Sequence, residues 1–333
     1  MPTSAEWLEV RAHLLEHRHA LALKAVSEYP DVPKVAGTPL LTAPHWTPPS
    51  PIPLADLSLE LRGSGEFPRV RSELPDGFGS YSEAMAALAA PSVFQNRETY
   101  RLLDFTDRHL TFGIGSYFDG IDVGEACAHE YAASTLGHAS ELPLRASVGN
   151  PCDLTRRPAN VAISTLTIRR SPGESTFFLH WRDPKRVGHA GGMYQVLPVG
   201  VFQGAQDSDF SLWHCMIREF AEELLGVPEI HSADYGSWPF ARQLTSAARV
   251  FYLGMGVDPL TFATDMLTVA VIEAPEFDEL FGELVSHNDE GRVLEGLPFT
   301  ASNIERFVHH EPTQAAGAAL LSLAWQHRET LLG

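Results

Sequence analysis

Lysine is almost absent: Lys24, Lys34 and Lys185 are the only three in 333 residues, so arginine carries most of the positive charge. In an alanine-rich chain that bias points to a GC-rich bacterial genome rather than to a chemical demand. Basic residues as a class are also scarce, with Lys+Arg 24 against Asp+Glu 42 and a formal net charge of −18. Such a field repels nucleic-acid phosphates and anionic lipid surfaces, so no nucleic-acid partner and no membrane partner is expected. Cysteine is rare and odd in number; Cys127, Cys152 and Cys215 form no CxxC pair, which excludes a disulfide framework and a thiolate zinc site. No apolar run approaches the roughly 18 residues that cross a bilayer, and an N-terminus carrying Glu6, Glu9 and Glu16 lacks the charge-then-apolar layout of a signal peptide. A cytoplasmic location is the expectation. Internal repeats are missing too. Gly113-Ile114-Gly115 lacks the third glycine of a dinucleotide fingerprint, and His13 and His17, four apart, lack the glutamate of a zinc-protease helix.

What is present is ordinary globular material: hydrophobic residues make up 44% and charged residues 20%, enough to bury a proper core. At about 150 residues per domain the length suits two domains. Residues 4–28 place Trp7, Val10, Leu14, Leu15, Leu21 and Val26 among charges at helical spacing. Eight prolines between Pro30 and Pro53 then forbid helix and central strand, while Leu40, Leu41, Trp46 and Ile52 predict a packed, extended segment. A helix over Tyr81–Ala90, a hairpin of Arg101–Phe105 with His109–Phe112, and a helix over Val123–Leu136 complete an α+β region. Cys127 falls inside that last helix and reads as buried and inert.

Beyond Asn150 the pattern becomes strand-rich. Val161–Arg169 and Thr176–Trp181 flank the turn Ser171-Pro172-Gly173-Glu174 and predict a second hairpin. Met193–Phe202 is strand-like but interrupted by Pro198 and Gly200, and a polar loop leads to a helix over Phe210–Leu225. Leu212, Met216, Phe220 and Leu224 form one apolar stripe of that helix, with Trp213 and Ile217 beside it. Off the stripe stand Glu219, Glu222 and Glu223, three carboxylates on about one turn. Such a cluster is either a solvated acidic face or a cation site, and hard oxygen ligands suit Mg²⁺ or Mn²⁺ rather than zinc.

Arg218-Glu219-Phe220-Ala221-Glu222-Glu223, followed by Leu224-Leu225-Gly226-Val227, resembles the core of the Nudix box, G-x5-E-x7-R-E-U-x-E-E-x-G-U with U apolar. Leu197-Pro198-Val199-Gly200 stands where that family has its Pro-Gly-Gly loop. The departures are a longer loop between Gly200 and Arg218, Gln206 at the place of the early glutamate, with Asp207 or Asp209 the nearby acids, and one residue inserted before Gly226. The resemblance covers residues 155–333. It implies an α/β fold, a Nudix-like mixed sheet sandwiched between helices over 151–333, preceded by an N-terminal α+β accessory region over 1–150.

The implied activity is divalent-metal-dependent hydrolysis of a nucleoside diphosphate linked to another group, or of a related organic pyrophosphate, with Mg²⁺ (or Mn²⁺) as cofactor. Glu219, Glu222 and Glu223 are the expected metal ligands, Glu222 and Glu223 double as catalytic carboxylates, and Arg218 orients them. Glu290, in Asn288-Asp289-Glu290-Gly291, is the candidate second acid. A small-molecule diphosphate needs local basic help in so acidic a chain; Arg169 and Arg182 are the candidates, with Lys185 and Arg186 nearby, Gly200 approaching the substrate and Tyr194 or Trp181 stacking on a base. A homodimer is an admissible assembly. The alternative, motivated by the missing early glutamate and the longer loop, is a non-hydrolytic Nudix-like ligand-binding or regulatory protein.

Overall fold

The computed structural model describes residues 1–63, 72–91, 94–182, 191–204, 209–228, 234–282, 284, 291–294 and 296–333. Its strands are β1 (Ile52–Pro53), β2 (Ser58–Leu61), β3 (Glu98–Thr106), β4 (His109–Ser116), β5 (Val161–Arg170), β6 (Thr176–Phe177), β7 (Leu179–Arg182), β8 (Tyr194–Val196), β9 (Val199–Val201), β10 (Ala248–Val257), β11 (Thr264–Glu273), β12 (Gly291–Val293) and β13 (Leu297–Pro298). The helices are α1 (Ser4–Ala25), α2 (Tyr81–Leu88), α3 (Tyr117–Gly120), α4 (Ala126–Thr135), α5 (Pro143–Val148), α6 (Leu212–Leu225), α7 (Pro239–Ala247), α8 (Ala274–Phe281), α9 (Ala301–Glu305), α10 (Ala315–Gln326) and α11 (Arg328–Leu332).

The fold is mixed α/β, as expected. Its centre is a sheet in the order β1-β10-β11-β5-β6-β13, with β9 sharing the outer edge of β5; β11 and β5 run parallel and their neighbours antiparallel. Successive side chains of a strand point to opposite faces, so a strand covered on both sides reads as a near-continuous apolar run. In β11, Met266, Ala270 and Ile272 enter one core with Met216, Phe220 and Leu224 of α6, while Leu267, Val269 and Val271 enter a second core with Ala316, Ala319 and Leu320 of α10. Burying each large side chain contributes on the order of 2 kcal/mol, and this two-sided cover leaves the strand ends for a site.

The second hairpin is corrected. Only Thr176–Phe177 pairs with β5; Leu179–Arg182 instead joins β8 and β12 in a separate three-stranded sheet. The chain changes sheets at Phe178, whose ring stacks on Phe277 at 4.9 Å in the first core while Phe177 and Leu179 lie in the other. The helix expected over Val123–Leu136 begins earlier: Ser116 and Asp119 form a capping box, and a π-turn at Ile121–Glu125 joins α3 to α4. The closing helix is divided at His327 into α10 and α11.

The proline-rich stretch is packed. Leu41 bridges to Val257, and β1 adds an edge to the central sheet. The first core runs through both halves of the chain, from Trp7, Trp46 and Phe112 to Phe202 and Met266. Tyr100 N donates to Phe202 O and Leu102 N to Ala159 O, so β3 lies along the segments that flank β5 and β9. Among the described residues no helix is long and apolar enough to cross a membrane.

Candidate functional site

The Ser211 side chain caps α6 by accepting the His214 amide, and Gly226 ends the helix in the left-handed region at φ 66°. The residue inserted before Gly226 therefore lengthens the helix without rotating the three glutamates. Leu212, Met216, Phe220 and Leu224 are buried as one stripe. Glu223 is also buried, with its Oε1 accepting the Val199 amide at 2.9 Å. Glu219 lies directly over Gly200: a β-carbon at that glycine would stand 2.1 Å from the Glu219 carboxyl carbon. A side chain at 200 would displace the Glu219 carboxylate from this position, so the glycine matters through that contact and not through a special backbone angle.

Arg218 is 7% exposed and turned inward. Its Nη2 donates to Gln203 O at 2.8 Å, and its Nη1 lies 3.7 Å from the fully buried Asp209, which also accepts a hydrogen bond from Tyr235. Asp209, one of the two acids near the place of the early glutamate, thus stands beside Arg218; Gln206 and Asp207 lie outside the described residues.

Gly200, Glu219 and Glu222 line a cavity of about 370 Å³ at the end of the sheet. Its floor includes Ala162 of β5, which is in register with Val201 of β9 on one side and Asp265 of β11 on the other. A second wall is Tyr117–Glu125, carried there by the capping box and the π-turn. That wall meets the turn after β10 so closely that a β-carbon at Gly124 would stand 2.2 Å from Thr261 O. Glu125 anchors it by accepting from Arg11 and from both terminal nitrogens of Arg18, the latter at 2.9 Å, in a buried triad. Arg182, Gln195 and Gln314 contribute the remaining side.

Of the expected site residues, Gly200, Glu219, Glu222 and Arg182 meet at this cavity. Glu223 and Arg218 stand behind it, engaged by Val199 N and Gln203 O. Arg169 is at the far end of β5, bound to Asp278 through two contacts of 2.7 and 2.6 Å, and is not among the cavity-lining residues. Tyr194 packs against Trp181 and Phe307, with ring centroids at 4.7 and 5.1 Å. Glu290, Lys185 and Arg186 lie outside the described residues. Among the described residues no three His, Cys, Asp or Glu side chains form a ready-made metal cage.

Sequence reasoning missed several cavity residues. Arg157 is 1% exposed; it donates to Pro151 O, Pro158 O and Thr264 Oγ1, and burial pushes its guanidinium down to about 10. Asp265 is 3% exposed; burial raises its carboxyl to about 7, against the Ser164 hydroxyl that donates to Oδ1 at 2.8 Å, and nearby Asp258 adds to the rise. An acid just ahead of the apolar run of the strand TDMLTVAVIE was the available signal. By contrast, the Glu125, His129 and Glu130 knot is structural: His129 stacks on Trp7 and is pushed by burial down to about 3, and Glu130 accepts the Leu144 and Arg145 amides at the start of α5.

No protein-family model matches this chain, and no curated protein does. Solved structures do. A MutT/Nudix family protein from Listeria innocua is 16% identical, with 54% of this chain and 100% of that chain covered at TM-score 0.33. A C. elegans Ap4A hydrolase is 14% identical over 52% of this chain and 99% of that chain, TM-score 0.31. A bifunctional NMN adenylyltransferase/ADP ribose pyrophosphatase from Francisella tularensis is 15% identical over 51% of this chain, TM-score 0.32, and the match spans only 41% of that protein.

Proposed function

We propose that this protein is a Nudix-type hydrolase of a nucleoside diphosphate linked to another group, or of a related organic pyrophosphate. The observation that carries the proposal is the convergence of Glu219, Glu222, Gly200 and Arg182 on one cavity large enough for a small molecule. Cleaving a phosphoanhydride requires charge neutralisation on the phosphoryl oxygens and an activated water. Glu219 and Glu222 would hold Mg²⁺ or Mn²⁺, which when bound supplies that neutralisation and lowers the pKa of a coordinated water. Their donor chemistry fits a hard cation. Glu223 keeps the helix and the glycine strand together through Val199 N, and Arg218 does the same through Gln203 O, so both position the cavity carboxylates. Arg182 faces the anionic substrate.

Turnover of nucleotide sugars, dinucleoside polyphosphates and prenyl diphosphates with Mg²⁺ or Mn²⁺ tests the reading against Glu219→Gln and Glu222→Gln. Equal turnover by the variants would remove α6 from the mechanism. One observation favours a second reading, a binding or regulatory module without hydrolysis: Glu223, the third acid of the trio, is buried and commits one oxygen to a backbone amide. Tight calorimetric binding of those compounds with no product, even with Mn²⁺, would select it.

A further inference from the structure

Asp265 is a buried acid without a counter-ion among the described residues. It sits on the cavity floor at 3% exposure, and Ser164 Oγ is its hydrogen-bond donor at 2.8 Å. The charged groups around it offer no compensation. From the turn after β10 comes Asp258, a second acid, which accepts from Leu260 N, Thr261 N and Thr261 Oγ1. From the loop before β5 comes Arg157, whose guanidinium is directed at Pro151 O, Pro158 O and Thr264 Oγ1. The other walls bring Glu219, Glu222 and Arg182, and Glu125 already held by Arg11 and Arg18.

Among the carboxamides that line the same cavity are Asn160, Gln195 and Gln314. Their side-chain oxygens are buried and have no hydrogen-bond partner among the described residues, and Gln195 and Gln314 are 3% and 8% exposed. Buried acceptors without donors are uncommon in folded proteins. Glu219, Glu222 and Arg182 share the cavity with uncharged hydrogen-bonding groups, the Tyr117 ring and Asp265.

We propose that the part of the cavity around Asp265 is a nucleobase subsite, in which the Asp265 carboxyl hydrogen-bonds the edge of the ring. This rests on the reading of the α6 carboxylates and Arg182 as a diphosphate site. A protonated carboxyl offers one donor and one acceptor, which match the ring-nitrogen and exocyclic-amino edge of adenine or cytosine. An ionised carboxylate offers acceptors alone, which match the two-donor edge of guanine. Proton uptake at Asp265 then selects the base.

The experiment is calorimetric binding of ADP-glucose, CDP-glucose, GDP-glucose and UDP-glucose to the full chain in EDTA at pH 6 and pH 8.5. Their diphosphates have no group that titrates in that interval, and only the base differs. The expected result is that the adenine or cytosine compound binds roughly tenfold or more weakly at pH 8.5 than at pH 6, while the guanine compound moves the other way. Asp265→Asn, close in shape, should bind with a flat pH profile. Ser164→Ala removes the hydroxyl that favours the carboxylate and should shift the affinity change to higher pH. No binding by any of the four, or the same pH profile in wild type and Asp265→Asn, overturns the proposal. Because binding is read without metal or turnover, loss of hydrolysis with the pH-dependent base preference intact would count against the hydrolase reading alone.

Discussion

Replacing Asp265 by asparagine should stabilise the protein, and by an amount that depends on pH. The Asp265 carboxyl lies at about 7 in the fold against an ordinary 3.8, chiefly because burial disfavours its charged form. Between those values the native state retains a proton that the unfolded chain has released, so stability falls as pH rises from about 4 to about 7 and then levels off. The full displacement corresponds to roughly 4 kcal/mol of penalty at pH 8, an upper figure since local relaxation and water entry would reduce it. Asparagine carries no such penalty, and its amide oxygen can still accept from Ser164, whose hydroxyl is the donor in the native protein. The assay is urea unfolding of wild type and Asp265→Asn at pH 4.5, 6, 7 and 8. The variant should gain little at pH 4.5 and on the order of a few kcal/mol at pH 8. A difference that does not change with pH would mean that Asp265 is ionised throughout, and the account of an uncompensated buried acid would fail.

Gly200→Ala sets a methyl group where the Glu219 carboxyl lies, so that side chain must swing away; impaired turnover is expected with a loss of about 1 kcal/mol or less in thermal unfolding, and unchanged activity would show that the position of the Glu219 carboxylate is not critical. Glu125→Ala leaves Arg11 and Arg18 buried without their shared carboxylate and should cost about 3–5 kcal/mol in urea unfolding; a loss well under 1 kcal/mol would refute the triad as the anchor of the Tyr117–Glu125 wall. His129 is held neutral by burial, down to about 3, whereas an unfolded histidine takes up a proton near 6.5. Its contribution is present above pH 6.5 and is lost as pH falls toward 3, so His129→Phe should show a shallower loss of stability on acidification, and parallel pH curves would reject the assignment.

Much of the central sheet and of the glutamate helix is legible in the residues. The apolar runs of β5 and β11 announce strands covered on both faces, and the four-residue spacing of Leu212, Met216, Phe220 and Leu224 places the glutamates off the buried stripe. Gly226 marks where that helix stops. The change of sheets at Phe178 is not legible, because Thr176–Trp181 has one period whether it pairs with one neighbour or two. Arg169 shows the limit for charged residues: a cation near a predicted site becomes half of a surface pair once Asp278 of α8 arrives beside it.

The sequence by itself determined the apolar stripe that the acidic helix buries, where that helix ends, and that a glycine precedes it, since these follow from local periodicity, capping and backbone freedom. Only the tertiary structure decided that Glu223 is tied to Val199 and that, among the described residues, Asp265 has no cation beside it. It alone brought Tyr117–Glu125, Gln195 and Gln314 to the cavity. Periodicity encodes the face a residue presents to the core; it carries no information about which distant segment covers that face, and the strength of a charge depends on that cover.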